Sequence, residues 1–325
     1  MPPSEDTPLF LASSTDPAAL TALVGKAEEF LLHSRAENTR RAYRSDWNHF
    51  QSWCQTRNGI ACPALPQTVA LYVTDLSGTH KVSTLTRRLS AISQAHQSAG
   101  FSSPTEDAGV RLLMAGIRRR LGTAAVGKRP LLVPDLRAMA ASVPDNLIGF
   151  RDRAILLLGF SGAFRRSELV ALNHEDILET VDGLVITLRR SKTDQEAEGR
   201  KVAIPRGREE GTCPVRALSS WFAAAGIASG PIFRRVNRHG QLLPQRLSGE
   251  GVAIVVKRWA AAVGYAPQEF GGHSLRAGLA TAAAIAGKSE RAIMDQTGHR
   301  SSATVRRYIR DGNLFRNNAA EGLGL

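Results

Sequence analysis

His273 and Arg276 lie three residues apart in HSLRAG, a spacing that puts both on one face of a helix, and Gly271-Gly272 just ahead lets the chain approach a ligand closely. Gly298-His299 then marks a helix end, and Tyr308 follows nine residues after His299, on the next helix. Upstream, GAFRRSELVAL places Arg165 and Glu168 one turn apart, and a β turn offers Lys192. Two arginines, two histidines, a lysine and a tyrosine suit neither a metal centre nor hydride transfer. They suit a phosphodiester. Arginine forks hold non-bridging oxygens in bidentate geometry, histidines exchange protons near neutral pH, and a tyrosine can be the nucleophile.

The elements that must position these residues can be read from periodicity. After residues 1–16, expected to be disordered, Asp16-Pro17 caps a helix with Leu20, Leu23, Val24, Ala27, Phe30 and Leu31 at helical spacing. Asn38 can cap a second helix whose apolar side is Tyr43, Trp47, Phe50 and Cys54, and a shorter third helix follows over 67–77. Ser83 can cap a fourth with Leu85, Leu89, Ile92 and Ala95, and Pro104 precedes a fifth with Val110, Leu113, Met114, Ile117 and Leu121. These five helices make one α domain, 17–121. The stretch 122–133 reads as a linker, and a second domain runs over 134–325. In that domain the pattern is helices at 134–142, 147–161 and 165–172, strands at 184–190 and 201–205 around the turn SKTDQEAEGR, then helices at 213–225, 249–263, 273–286, 289–297 and 301–310. The fold class expected is mainly α with a small antiparallel β-sheet.

Composition narrows the partner. A chain of 325 residues can hold two domains, and 42 Lys+Arg against 29 Asp+Glu leave a net charge of +13. Such an excess favours a polyanion, either nucleic acid or an anionic membrane. No apolar run spans a bilayer and no basic-then-apolar segment opens the chain, so nucleic acid is the expected partner. Cys54, Cys62 and Cys213 are scattered, which predicts neither disulfides nor a zinc site and fits a reducing, cytoplasmic setting. Arg40, Arg41 and Arg44 on the second helix and Arg87 and Arg88 on the fourth lie away from the apolar stripes. Charges of that kind usually form a solvated face, but two basic helices in so basic a chain point to DNA.

The sequence resembles the tyrosine recombinase (phage integrase) family, and within it the Cre-like site-specific recombinases, from about residue 20 onward. The family's arginine followed by x-S-E-L stands as Arg165-Arg166-Ser167-Glu168-Leu169, its H-x-x-R box as His273-Ser274-Leu275-Arg276, its G-H box as Gly298-His299 and its nucleophile as Tyr308 in VRRYIR. The lysine between two strands matches best at Lys192 in RRSKT, with Lys201 as competitor. NTRRAYRSDWNHFQSWC looks like the family's core-binding helical domain. Arg166 competes with Arg165, but its side chain points about 100° round the helix. Tyr43 and Tyr72 fall on apolar helix sides and Tyr265 in a glycine-flanked turn, so Tyr308 is the expected nucleophile.

The resemblance implies an N-terminal core-binding domain and an α+β catalytic domain forming a C-shaped clamp on DNA. It implies a site-specific recombinase that cleaves and rejoins DNA through a 3′-phosphotyrosyl intermediate, without cofactor or metal, since positive side chains take the place of metal ions. Tyr308 would attack, Arg165, Arg276 and His299 would stabilise the equatorial oxygens, His273 would take the proton, Glu168 would hold a catalytic neighbour, and Lys192 would protonate the departing 5′-oxygen. Its partners would be double-stranded DNA with an inverted-repeat core site and, through a tail carrying Leu314, Phe315, Leu323 and Leu325, three further copies of itself. A bacterial or phage origin and a place at the nucleoid follow from the same likeness. No arm-binding domain is read ahead of the helical domain, which favours a simple recombinase. A type IB topoisomerase and a catalytically silent DNA-binding regulator are the alternatives.

Overall fold

The structure is a computed structural model that describes residues 37–123, 127–189 and 199–312, together with Leu23, Gly25 and Lys26. The rest of the helix expected after Asp16-Pro17, the segment carrying Lys192 and the tail with Leu314, Phe315, Leu323 and Leu325 lie outside the described residues. The chain divides into two units between Ala125 and Val126.

In the first unit, α1 (Glu37–Gln55), α2 (Pro66–Ser77), α3 (Val82–Ser98) and α4 (Ala108–Leu121) surround one core. Phe50 and Cys54, four residues apart on α1, meet Val69, Tyr72 and Val73 of α2, Leu85 and Ile92 of α3, and Val110 and Met114 of α4. Burying each large side chain of this kind is worth about 1.5–3 kcal/mol, which is what holds four short helices together. Two starts differ from expectation: Asn38, expected as a cap, lies inside α1, and helix α3 begins one residue before Ser83, after Lys81. Pro104 precedes α4 as expected and opens a separate 3₁₀ turn (Pro104–Glu106). Helix α4 is capped by Asp107, whose carboxylate accepts from the N–H groups of Gly109 and Val110 at 2.8 and 3.3 Å.

The second unit holds α5 (Val133–Ser142), α6 (Leu147–Ser161), α7 (Arg166–Ala171), α8 (Pro214–Ala225), α9 (Gly249–Ala262), α10 (Gly272–Ile285), α11 (Glu290–Thr297) and α12 (Ser302–Gly312). Helix α6 is apolar on every side over Ala154–Leu158 and is therefore central, packed against α8 and α10. Strands β1 (Ile177–Glu179), β2 (Gly183–Leu188) and β3 (Arg200–Pro205) form an antiparallel sheet in that order, with Val185 opposite Ala203 and Leu188 opposite Arg200. A second sheet, the hairpin β4 (Arg234–Val236) and β5 (Leu242–Arg246), was not expected, nor was β1. Both escape a periodicity reading because β1 spans three residues and β5 is interrupted by Pro244.

The stretch 127–133 runs along α10. Leu131 is fully buried and donates its N–H to Ser274 O at 3.0 Å, while a Cβ on Gly278 would stand 2.0 Å from Leu131 O. Only glycine lets that segment cross the helix. No described helix is long and apolar enough to cross a membrane.

Candidate active site

Helix α6 ends in a corner that carries local strain. Ala163 has φ +48°, a left-handed conformation that costs a non-glycine residue about 1–2 kcal/mol. The corner places Arg165 just ahead of α7 as its N-cap, rather than inside the helix as expected, with Glu168 at the third helical position. From there the buried Glu168 carboxylate accepts twice from the same residue, from the Arg165 N–H at 2.9 Å and from its guanidinium Nη1 at 2.5 Å. The carboxylate fixes backbone and side chain together. Arg166, the competitor, points away and pairs with Glu250 of α9 at 3.3 Å, more than half exposed.

Arg276 on α10 is 1% exposed and turned toward the same corner. Its Nη1 donates to Ala163 O at 2.8 Å and its Nη2 to Nε2 of His299 at 3.1 Å. The strained carbonyl is thus one of the two groups that aim this arginine. Burial, followed by the Arg165 charge, lowers its pKa to about 10, which leaves it cationic at neutral pH. Of the Gly271-Gly272 pair, Gly272 lies close to a neighbour: a Cβ there would come within 3.3 Å of the Arg166 side chain.

Helix α11 ends on Gly298 in the left-handed conformation (φ +64°), which turns His299 back toward Arg276. Thr297 Oγ1 donates to Ile293 O at 2.6 Å and so accepts from Nδ1–H of His299 at 2.7 Å. The proton on Nδ1 leaves Nε2 as the acceptor that an arginine, a donor only, needs. Burial and then the charges of Arg276 and Arg165 push the His299 pKa down to about 4, so the ring is neutral at pH 7. In this geometry His299 aims Arg276 and does not present a donor of its own.

Tyr308 lies on α12, packed among Ala277, Ala280, Ala284, Ile293 and Val305 and 6% exposed. Its hydroxyl is 3.0 Å from Nε2 of His273, within reach for general-base transfer. Burial, then Arg276, Arg307 and Arg165, hold His273 below the usual imidazole range, so it too is neutral and able to accept. His273 and Arg276 were expected on one helix face. They serve opposite ends of one cluster, His273 at the tyrosine and Arg276 at His299.

Lys192 lies outside the described residues. Its competitor Lys201 is exposed on β3, on the opposite face from Val202 and Ile204. The same alternation turns Arg200 inward, to a place beside Gly298 that the sequence reading missed. Period-two patterning in RKVAIP was the signal that could have found it. In the first unit, Arg41 and Arg44 are exposed and Arg40 is half-buried. Arg87 clamps the buried Asp46 with Nε and Nη2 at 2.7 and 3.0 Å. Arg88, expected at DNA, is 8% exposed and donates to the Tyr72 hydroxyl at 2.5 Å. Consecutive residues stand about 100° apart on a helix, so Arg87 and Arg88 cannot share a face.

Residues 133–313 match the phage integrase family. An integrase/recombinase xerD homolog of Selenomonas ruminantium is 43% identical over 298 residues, 90% of this chain and 87% of the relative. The recombinase cre of Escherichia phage P1 is 25% identical over 297 residues, 85% of this chain and 84% of the relative. Among solved structures, the XerH site-specific recombinase bound to palindromic difH substrate in a post-cleavage complex superposes with a TM-score of 0.61 at 16% identity, over 84% of this chain and 76% of that one. A lambda integrase dimer bound to a COC′ core site gives 0.60 at 17% identity, over 93% and 83%. With its arginine corner, its histidine pair and its packed tyrosine all inside the matched segment, the chain belongs to the phage integrase family, the DNA strand-transferring tyrosine recombinases.

Proposed function

We propose that the protein carries out site-specific recombination by cleaving DNA with Tyr308 and rejoining it through a 3′-phosphotyrosyl intermediate. The observation that carries this reading is the Tyr308 hydroxyl held 3.0 Å from a neutral His273, beside two arginines fixed by Glu168, Ala163 O and His299. His273 takes the phenolic proton as the oxygen attacks phosphorus. Negative charge then grows on the non-bridging oxygens, where Arg165 and Arg276 supply positive charge whose reorganisation has been settled in folding. Lys192 protonates the departing 5′-oxygen. The phosphotyrosyl bond keeps the energy of the broken one, so a 5′-hydroxyl from another strand reverses the step with no nucleotide consumed.

XerH and lambda integrase are seen on DNA, which supports double-stranded DNA as the partner here; a core site of inverted repeats and four copies in the exchange complex complete the proposal. The exposed Arg41 and Arg44, with Arg40 beside them, are the first unit's contacts to it. The test uses a supercoiled plasmid carrying two copies of a site taken from the DNA flanking the gene. Wild-type protein yields exchanged products and an SDS-resistant protein–DNA adduct, and Tyr308→Phe binds with near-normal affinity but forms neither. An adduct that persists in Tyr308→Phe overturns the nucleophile, and relaxation without exchange favours a topoisomerase.

A further inference from the structure

Arg200 is an expensive residue to keep where it is. It opens β3, faces inward with Val202 and Ile204, and stands beside two other arginines, Arg165 and Arg276, with Glu168 as the carboxylate among them. Its Nε and Nη2 are buried without a hydrogen-bond partner among the described residues. A buried donor left unpaired costs about 1–3 kcal/mol, and more when it is charged. Stability alone does not account for it.

Its remaining contacts converge on one turn. Nη1 reaches Asp295 O and Gln296 O, both at 3.3 Å, in the last turn of α11, where the helix presents unpaired carbonyls and negative dipole charge. The rest of the guanidinium covers Gly298, so closely that a Cβ there would stand 2.7 Å from Nε and 2.8 Å from Cζ. Gly298 is therefore glycine for two independent reasons, its left-handed φ and the arginine above it. The next residue is His299, whose Nε2 aims Arg276.

We propose that Arg200 is a positioning residue for His299, fastening the end of α11 and the Gly298 turn to β3 so that His299 holds its acceptor nitrogen toward Arg276. The role rests on the cleavage chemistry proposed above for its purpose, but not for its geometry. The Arg200 charge is one of those that hold His299 neutral.

The experiment reads His299 directly, in ¹⁵N-histidine spectra of the full-length protein without DNA. Wild type shows a neutral ring with the proton on Nδ1. Arg200→Gln and Gly298→Ala, which remove or displace the guanidinium, lose that single-tautomer signature, and Arg200→Lys, keeping charge without the fork, recovers it in part. With DNA, Arg200→Gln and Gly298→Ala slow adduct formation by about 10- to 100-fold at unchanged DNA affinity, the loss expected from a small misplacement in a site. The acid limb of the rate moves to higher pH in Arg200→Gln, since removing a neighbouring cation makes His299 easier to protonate. An unchanged His299 signature in both variants overturns the proposal. So does a loss of DNA affinity with a salt slope shallower by about 1 in Arg200→Gln, which places the guanidinium on a phosphate. A wild-type protein that forms no adduct refutes the cleavage reading and leaves the spectra to decide the role of Arg200.

Discussion

Each unit sets a cluster of arginines around a buried carboxylate, and the two clusters are built to opposite ends. In the first unit Asp46 is 3% exposed and is gripped by Arg87 through two hydrogen bonds, with Arg88 Nε at 3.8 Å and the Arg88 Nη1 on the Tyr72 hydroxyl. The second unit gathers Arg165, Arg276 and Arg200 around Glu168, and keeps His273 and His299 neutral among them. In one cluster the cations answer a carboxylate that the fold has buried. In the other, three arginines gather around a single carboxylate, against two at Asp46. Among the described residues Glu168 is the carboxylate set against those three cations, so an incoming phosphodiester would add negative charge to them, whereas Asp46 already meets Arg87 in two hydrogen bonds.

The sharpest way to break this contrast is to shorten arginines on both sides. Arg276→Ala or Arg165→Ala lowers the rate of adduct formation by about 10²- to 10³-fold, the usual loss on removing one preorganised donor. Arg88→Ala leaves the rate per folded molecule unchanged and instead lowers stability by about 1–3 kcal/mol, read by denaturant unfolding. If Arg88→Ala slows cleavage without loss of stability, the two clusters are not distinct in kind.

A comparable effect is expected at Lys192, through the leaving group. A 5′-alkoxide leaves poorly, so a general acid is worth about 10²- to 10⁴-fold, whereas a bridging 5′-sulfur departs as a thiolate with a pKa of about 8.5 and needs no proton. Lys192→Ala is therefore slow on ordinary DNA and near normal on the thio strand, while Arg276→Ala is slow on both. Rescue of Lys201→Ala instead would move the acid to β3.

The histidines give a smaller, pH-dependent difference. His299 is held at about 4 and His273 below 6.5, so both lie below the value of a free imidazole. Keeping them neutral contributes stability in full above pH 6.5, and that contribution is lost as pH falls toward 4. Cleavage should stay flat from pH 8 to below 6.5, because His273 remains able to accept a proton. Thermal unfolding should show wild type losing stability between pH 6.5 and 4, and His299→Gln losing less. The smallest effect concerns the α6–α7 corner. Ala163→Gly relieves the positive φ and raises stability by at most about 1 kcal/mol, offset in part by the freer unfolded chain.

What could be read in advance follows from how local the cause is. Helices α5, α6, α8 and α11 sit within a residue or so of their expected spans because an apolar stripe or run and its caps lie in the same dozen residues. The reading brought Arg165, Glu168, His273, Arg276, His299 and Tyr308 together by type and spacing, and the structure places them in one unit. It erred where a side chain's fate depends on a distant partner. Arg88 turns inward because Asp46 and Tyr72, on other helices, are there to receive it. Ala163 adopts a conformation its type disfavours because the corner between α6 and α7 demands it, and nothing in the residue announces that.

The packing of α12 bears on a question of ownership. Tyr308 and the His273 that faces it belong to the same unit, and the tyrosine ring is held there by Ala277, Ala280 and Ala284, side chains small enough to let the helix settle closely on α10. If Tyr308 is the nucleophile as proposed, a copy of the protein acting in this arrangement severs the strand it is itself seated on and borrows no nucleophile from a neighbour. Two defective versions, Tyr308→Phe and Arg276→Ala, should therefore stay inactive when mixed on one DNA, since neither can lend the other its intact half. Recovery of cutting in the mixture would mean that α12 leaves its own unit to work in another.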